Sequence, residues 1–298
     1  DPGDAQLMAE DTVDDVLETV AAVAPDVRSG LPGRRLTEAG EENPSGETVM
    51  AADVYADELF FEALASIDGV GEYASEEREA KADCGGGVGP GDDEALAVAI
   101  DPLDGSSNLK SNNAMGTVVG VYDEPLPASG RRLVAAAYVL YGPITTMTIA
   151  RDDTVTTYLV EGGAMEAVEE DVALPEDPVV YGFGGRVPEW TEAFSDYAAA
   201  VERELKLRYG GAMIADVNQV LTYGGVFAYP ALSSAPNGKL RLQFEGAPIA
   251  EIIETAGGAS SDGQRSLLDV TPTELHQRVP VHVGNTALIE RLEGALAE

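Results

Sequence analysis

Apolar residues change period several times along this chain, and each change predicts an element. Val13, Val16, Leu17, Val20 and Val23 recur at helical spacing, which predicts an amphipathic helix. Pro25 to Pro44 is rich in Gly, Pro and charge and is expected to be loop. A second helix is expected from about Glu47 to Ser66, with Asp53 and Asp57 one turn apart. Ala95 to Ile100 is an unbroken apolar run, the pattern of a fully buried strand. Strands are also expected near 116–122, 133–141, 144–150 and 154–160. Their Thr, Val and Tyr content and short turns favour antiparallel pairing. Leu133 to Ala150 is the longest apolar stretch, but Gly142-Pro143 breaks it into two strands and a turn, so it does not read as a membrane span.

Prolines at 175 and 178 mark a boundary that divides the chain into residues 1–176 and 177–298. Beyond it the expectation is a strand at 179–183, a helix to about 206 and a helix near 213–222. Strands at 226–229 and 239–244, a helix at 247–256, a strand at 281–283 and a final helix follow. The pattern predicts a layered α+β or α/β protein.

Composition narrows the setting. The chain has 298 residues, 44% of them apolar, enough for a sizeable core. It carries 53 acidic against 18 basic residues, a formal charge of −35. Lysine is scarce, with only Lys81, Lys110, Lys206 and Lys239. Such a charge repels nucleic acid and anionic membrane surfaces, so neither is expected as a partner. The acid is spread along the whole chain, as in cytosolic proteins of salt-in halophiles. Cys84 is alone, excluding an intramolecular disulfide, and no signal peptide is visible. The expected compartment is the cytoplasm.

The chemistry gathers after the apolar run, at Asp101-Pro102-Leu103-Asp104-Gly105-Ser106-Ser107-Asn108. Two carboxylates at the end of a buried strand demand a counter-charge, because an unpaired buried carboxylate is very unfavourable. A divalent metal would supply it, and hard cations such as Mg²⁺ take oxygen ligands. The N–H groups of Gly105 and Ser106 could face an anion. The spacing does not match a calcium-binding EF-hand loop. Glu76-Glu77 place two more acids together. If extended, Lys239-Leu240-Arg241-Leu242-Gln243-Phe244-Glu245 puts Lys239, Arg241 and Glu245 on one face, suited to a phosphate beside a metal. Arg208-Tyr209 and Tyr229 offer further phosphate donors. His276 and His282 have no metal-ligand spacing and read as structural or helix-cap groups, and Cys84 does not read as a nucleophile.

The segment 101–108 resembles the signature of class I fructose-1,6-bisphosphatases, within the lithium-sensitive phosphatase superfamily that includes inositol monophosphatases. Gly116-Thr117, Val134 to Tyr138, Ala215-Asp216-Val217, Tyr223 to Phe227, Gly238 to Leu242, Ala256-Gly257-Gly258 and Pro272 to Arg278 resemble the same family in its own order. The resemblance covers residues 45–295 and is specific for the bisphosphatase branch. It implies an α-β-α-β-α sandwich, a homo-oligomer (tetramer or dimer), and hydrolysis of the 1-phosphate of a sugar bisphosphate in gluconeogenesis. Two or three Mg²⁺ per subunit are implied, with Mn²⁺ as an alternative.

By resemblance, Glu76, Asp101, Asp104, Glu245 and the carbonyl of Leu103 are metal ligands, with Glu47 near a third metal. Asp53 and Glu77 polarise the attacking water, and Asp104 belongs to the same catalytic group. Gly105, Ser106, Ser107 and Arg241 hold the 1-phosphate, and Met213 lines the sugar. Tyr209, Tyr229 and Lys239 hold the 6-phosphate, with Arg208 reaching from a neighbouring subunit. Many family members place an asparagine and a tyrosine on the 6-phosphate where this chain has Gly184 and Val187. Two enzymatic rivals, a sedoheptulose-1,7-bisphosphatase and a broad-specificity sugar or inositol phosphatase, share the fold. An acidic cation-binding protein is the non-enzymatic rival.

The charge excess makes stability salt-dependent, because the Debye length falls from about 10 Å at 0.1 M to about 3 Å at 1 M. The melting temperature should rise steeply with KCl towards molar concentration; a salt-independent melt would refute the halophilic reading.

Overall fold

The computed structural model describes residues 2–42, 48–89 and 95–297. In chain order the elements begin with α1 (Pro2–Gly30), β1 (Glu38–Glu42), β2 (Thr48–Met50), α2 (Ala51–Leu64), β3 (Val70–Ser75), β4 (Ala82–Asp83), β5 (Leu96–Asp104) and α3 (Asn108–Ser111). A meander follows: β6 (Met115–Tyr122), β7 (Leu133–Tyr141), β8 (Thr145–Arg151), β9 (Thr154–Glu161) and β10 (Ala164–Glu169). The second half holds β11 (Val180–Phe183), α4 (Glu192–Val201), β12 (Lys206–Leu207), α5 (Met213–Tyr223), β13 (Gly225–Tyr229) and β14 (Leu240–Arg241). It closes with α6 (Ala247–Thr255), β15 (Ala259–Ser261), β16 (Arg278–Val279), β17 (Val281–Gly284) and α7 (Thr286–Leu296).

Two sheets carry the fold. An eight-stranded sheet has the order β10-β9-β8-β7-β6-β5-β3-β4, and a five-stranded sheet the order β12-β11-β13-β17-β15. The meander from β5 to β10 is antiparallel, as expected, whereas β3 joins β5 in parallel.

Strand alternation sets the layers. Val119 and Val121 of β6 and Ala137 and Val139 of β7 face α1 and α2 in one core. Val118, Ala136 and Tyr138, on the opposite face, meet α5 and α6 in a second core. Phe227, Val281 and Val283 of the five-stranded sheet enter that second core from the other side. Its outer face, with Tyr181, Phe183, Val226 and Ala228, packs on α4 and α7. The result is the α-β-α-β-α sandwich. Helices α5 and α6 form a middle layer shared by both sheets.

Several local expectations need correction. Pro25 lies inside α1, which runs on to Gly30. Ala24 and Val27 are fully buried, so packing holds the helix through the proline. The helix expected from Glu47 begins at Ala51, and Glu47 itself lies outside the described residues. The helix expected to reach about 206 ends at Val201. The strand expected at 239–244 stops at Arg241, and Leu242 to Gly246 form a π-helical turn leading into α6. Leu242, Gln243, Phe244 and Glu245 are all buried, so the apolar alternation there did not mark two faces. The amide N–H of Arg241 donates to Glu245 Oε2 at 2.7 Å, a contact that winds the chain out of the strand.

Ile249 is fully buried in the middle layer. Ile249→Ala should destabilise by about 2–5 kcal/mol, the usual range for such a core truncation. Because both sheets rest on that layer, unfolding should stay a single transition in denaturant titrations at molar KCl. Two separate transitions would show that the halves unfold independently.

Candidate active site

All nine residues of β5 are buried, including both aspartates. The strand does not end at Asp101, as expected, but continues to Asp104. Asp101 pairs with Val118 and Asp104 with Gly116, so three steps on β5 span two on β6. This bulge around Pro102 accommodates a proline within the sheet and aims both carboxylates at one cavity. Gly105 then turns the chain with φ +75°, a conformation that disfavours any side chain. A Cβ there would also stand 2.2 Å from that of Ala212.

Other elements converge on the same place. Glu76 and Glu77 follow β3, where the Glu76 amide donates to Ile100 O at 3.0 Å and locks the acids to β5. Asp53, in the first turn of α2, accepts from the Met50 amide at 2.8 Å. The amide of Ile214, at the start of α5, donates to Asp104 Oδ2 at 2.7 Å. A helix N-terminus beside a carboxylate favours its charge. Carboxylate oxygens of Glu76, Asp101 and Glu245 lie within 4.8 Å of one another, all buried.

The cavity, about 460 Å³, is lined by Asp53, Glu76, Glu77, Asp101, Leu103, Asp104, Gly105, Ser106 and Ser107 on one side. Tyr209, Gly211, Tyr229, Lys239, Leu240, Arg241 and Glu245 complete it. Fourteen of the seventeen residues proposed from sequence therefore come together here. Met213 does not: it is the first residue of α5, buried in the middle core. Arg208 is exposed and its guanidinium donates to its own neighbour's carbonyl, Leu207 O. Glu47 lies outside the described residues.

Arg241 brings a positive charge to the two glutamates of the cluster and not directly to the aspartates. It is only 3% exposed, with Nη1 2.6 Å from Glu76 Oε1 and 3.9 Å from Glu245 Oε2. One guanidinium does not balance this cluster. Burial, then the neighbouring Glu76, Asp104 and Glu245, push the Asp101 carboxyl well up. Burial likewise lifts Asp104 to about 7 against the opposing pull of the Ile214 amide. Glu245 is raised by burial and by Glu76. Glu77 is pushed up to about 9 by burial and by Asp53 and Glu76, and its Oε2 is a buried atom without a hydrogen bond. A buried, all-oxygen donor set with an excess of negative charge fits a hard divalent cation.

Sequence reasoning missed some supports. Arg78 pairs with Asp57 at 2.7 Å, and Tyr73 Oη donates to the same carboxylate at 3.1 Å, pinning the Glu76-Glu77 turn to α2. The signal was an acid, Asp57, on the buried side of a helix opposite an arginine two residues after Glu76. His276 Nε2 lies 2.8 Å from Arg78 O, so it braces that turn and caps no helix. Asp216 accepts the Gly210 amide at 2.6 Å, and Asn108 and Asn113 donate to Gly210 O, fixing the loop that carries Tyr209.

Residues 12–168 match the N-terminal domain of fructose-1,6-bisphosphatase and residues 174–297 match its C-terminal domain. The chain belongs to the class 1 fructose-1,6-bisphosphatase family. It is 63% identical over 289 residues to the class 1 enzyme of Natronomonas pharaonis, covering 96% of this chain and 99% of the relative. It is 59% identical over 288 residues to that of Halobacterium salinarum, covering 97% and 98%. The acid-rich, salt-adapted composition fits these relatives. The fold matches Leishmania major fructose-1,6-bisphosphatase in its holo form, with a TM-score of 0.89 at 25% identity over 99% of this chain and 98% of that one. The family is metal-dependent. Among the described residues no helix is long and apolar enough to cross a membrane.

Asp104 touches both the acid cluster and the start of α5. Asp104→Asn should keep the fold and lower kcat with Mg²⁺ by on the order of 10²-fold or more, the scale of a lost transition-state charge contact. Near-native turnover by a folded variant would show that Asp104 is no part of the machinery.

Proposed function

We propose that this chain hydrolyses the 1-phosphate of fructose 1,6-bisphosphate, releasing fructose 6-phosphate and phosphate, with Mg²⁺ as cofactor. The observation that carries the reading is one cavity with two chemically distinct ends. Buried carboxylates of Glu76, Asp101 and Glu245 form one end, and Tyr209, Tyr229 and Lys239 line the same space.

Glu76, Asp101, Asp104, Glu245 and the Leu103 carbonyl would hold two or three cations, with Glu47 near a third and Mn²⁺ able to replace Mg²⁺. Held there, divalent cations would supply charge neutralisation for a phosphoryl group and acidify a water. Asp53 would orient the attacking water and take its proton, and Glu77 would join it only where added positive charge offsets the burial that holds its proton. The N–H groups of Gly105 and Ser106, with Ser107 beside them, would meet the 1-phosphate, and Arg241 adds a fixed positive charge. No side chain is needed as a covalent nucleophile. Tyr209, Tyr229 and exposed Lys239 would hold the 6-phosphate at the open end.

Residues 1–176 and 177–298 are read as two domains, supported by the change of sheet between Glu169 and Val180. The working form is read as a homo-oligomer, tetramer or dimer, in which exposed Arg208 is free to reach a neighbouring site. The reading also places the protein in the cytoplasm.

Phosphate release with Mg²⁺ tests the assignment against sedoheptulose 1,7-bisphosphate and inositol monophosphate; fructose 1,6-bisphosphate should give the highest kcat/KM. Lys239→Ala should lower kcat/KM for the bisphosphate by about 10- to 100-fold, equivalent to a charge-assisted contact of about 1.5–3 kcal/mol, and spare fructose 1-phosphate. Equal losses on both substrates would remove Lys239 from the distal phosphate.

A further inference from the structure

Past Val180, whose side chain enters the middle core, one face of the chain at the end of β11 carries only glycines. Tyr181 and Phe183 point into the outer core, where Phe183 packs against Trp190, Phe194 and Tyr197. Gly182 and Gly184, at alternate positions, share the opposite face. Both are crowded. A Cβ on Gly184 would lie 2.3 Å from Cδ2 and 2.5 Å from Cε2 of the Tyr229 ring. A Cβ on Gly182 would lie 2.4 Å from Arg208 O, in the segment that leads to Tyr209.

The Gly184 peptide is held from two sides. Its N–H donates to Ala228 O at 2.8 Å, and its carbonyl accepts from Trp190 Nε1 at 2.9 Å. Tyr229 follows Ala228 in β13, the parallel neighbour whose Ala228 pairs with Phe183. The ring of Tyr229 therefore rests directly on Gly184, and the strand beneath cannot recede.

We propose that Gly184 is a specificity-determining position, whose missing side chain seats the Tyr229 ring so that its hydroxyl serves the distal anion of the substrate. Gly182 does the same for the Arg208 to Tyr209 segment. The anion-binding end is thus built from phenol hydroxyls laid against Gly182 and Gly184, not from side chains at those two positions. In this chain, with Tyr229 packed so close, a side chain at 184 displaces the ring and weakens binding of substrates that carry a second phosphate. The proposal rests on the distal-phosphate reading above.

The test is a double-mutant cycle on the full-length protein in Mg²⁺ and molar KCl, using Gly184→Ala, Tyr229→Ala and the double variant. Each is assayed with fructose 1,6-bisphosphate and with fructose 1-phosphate. Gly184→Ala should lower kcat/KM for the bisphosphate by about 10- to 100-fold, the range for a misplaced binding group, chiefly through KM. Fructose 1-phosphate should change less than about twofold. In the Tyr229→Ala background the same substitution should have no further effect, because the clash is gone. Additive losses in the double variant would overturn the seat. So would a double variant that fails to fold, since the glycine would then serve the backbone. If Tyr229→Ala alone affects both substrates equally, the distal-phosphate assignment fails, and the seat fails with it.

Discussion

Like charges forced together out of water organise this molecule. Glu76, Asp101, Asp104 and Glu245 are each under a tenth exposed; carboxylate oxygens of Glu76, Asp101 and Glu245 lie within 4.8 Å of one another, and Asp104 is close enough to feel their charge. Carboxylates so placed either take up protons or need a cation, and the upward pull on their affinities for protons records that tension. Much of the local architecture reduces it. The bulge in β5 aims two aspartates at one point, the start of α5 gives Asp104 an amide donor, and Arg241 gives the cluster a single guanidinium. The excess of negative charge that remains suits the place to a hard cation.

The cluster depends on both halves of the chain. Asp53 comes from α2, Glu76 and Glu77 from the end of β3, and Asp101 to Asp104 from β5. Glu245 comes from the π-helical turn before α6, and Tyr229 from the second sheet. None of these elements can be placed without the shared middle layer, since α5 and α6 pack against both sheets. Hence a site assembled from these five segments is held in place by the core. The Asp57–Arg78 pair and the His276 contact to Arg78 extend that rigidity to the turn carrying Glu76 and Glu77.

Legibility in the sequence followed the strength of the local signal. Strand β7 appears at the expected residues, and β8, β9, α5 and β13 agree to within a residue or so, because each has clear periodicity and a turn at its end. The buried run before Asp101 was equally plain. Strands β4, β12 and β14 have two residues each, too few for any period, and they exist because neighbours hold them. The turn at Leu242 to Gly246 was hidden because alternate apolar residues mimic a strand when every side chain is buried. Arg241 illustrates the same limit for chemistry. Its residue type marked it for phosphate, but its partner, Glu76, lies 165 residues away in sequence and only the fold brings the two together.

The acidic surface and the distal end of the site are linked through salt. In a chain of net charge −35, solvent salt must screen repulsion between exposed carboxylates, and the same salt would screen any attraction of exposed Lys239 for an anion. A phenol hydroxyl gives a hydrogen bond that depends far less on long-range charge. Burial, with Tyr229 nearby, pushes Tyr209 up to about 12, so it stays a donor at any pH near neutrality. A site that works under strong screening gains from neutral donors held in fixed positions, because pre-organisation replaces Coulombic reach. The Tyr229 ring lies close over Gly184, and a contact distance of this kind does not change with ionic strength.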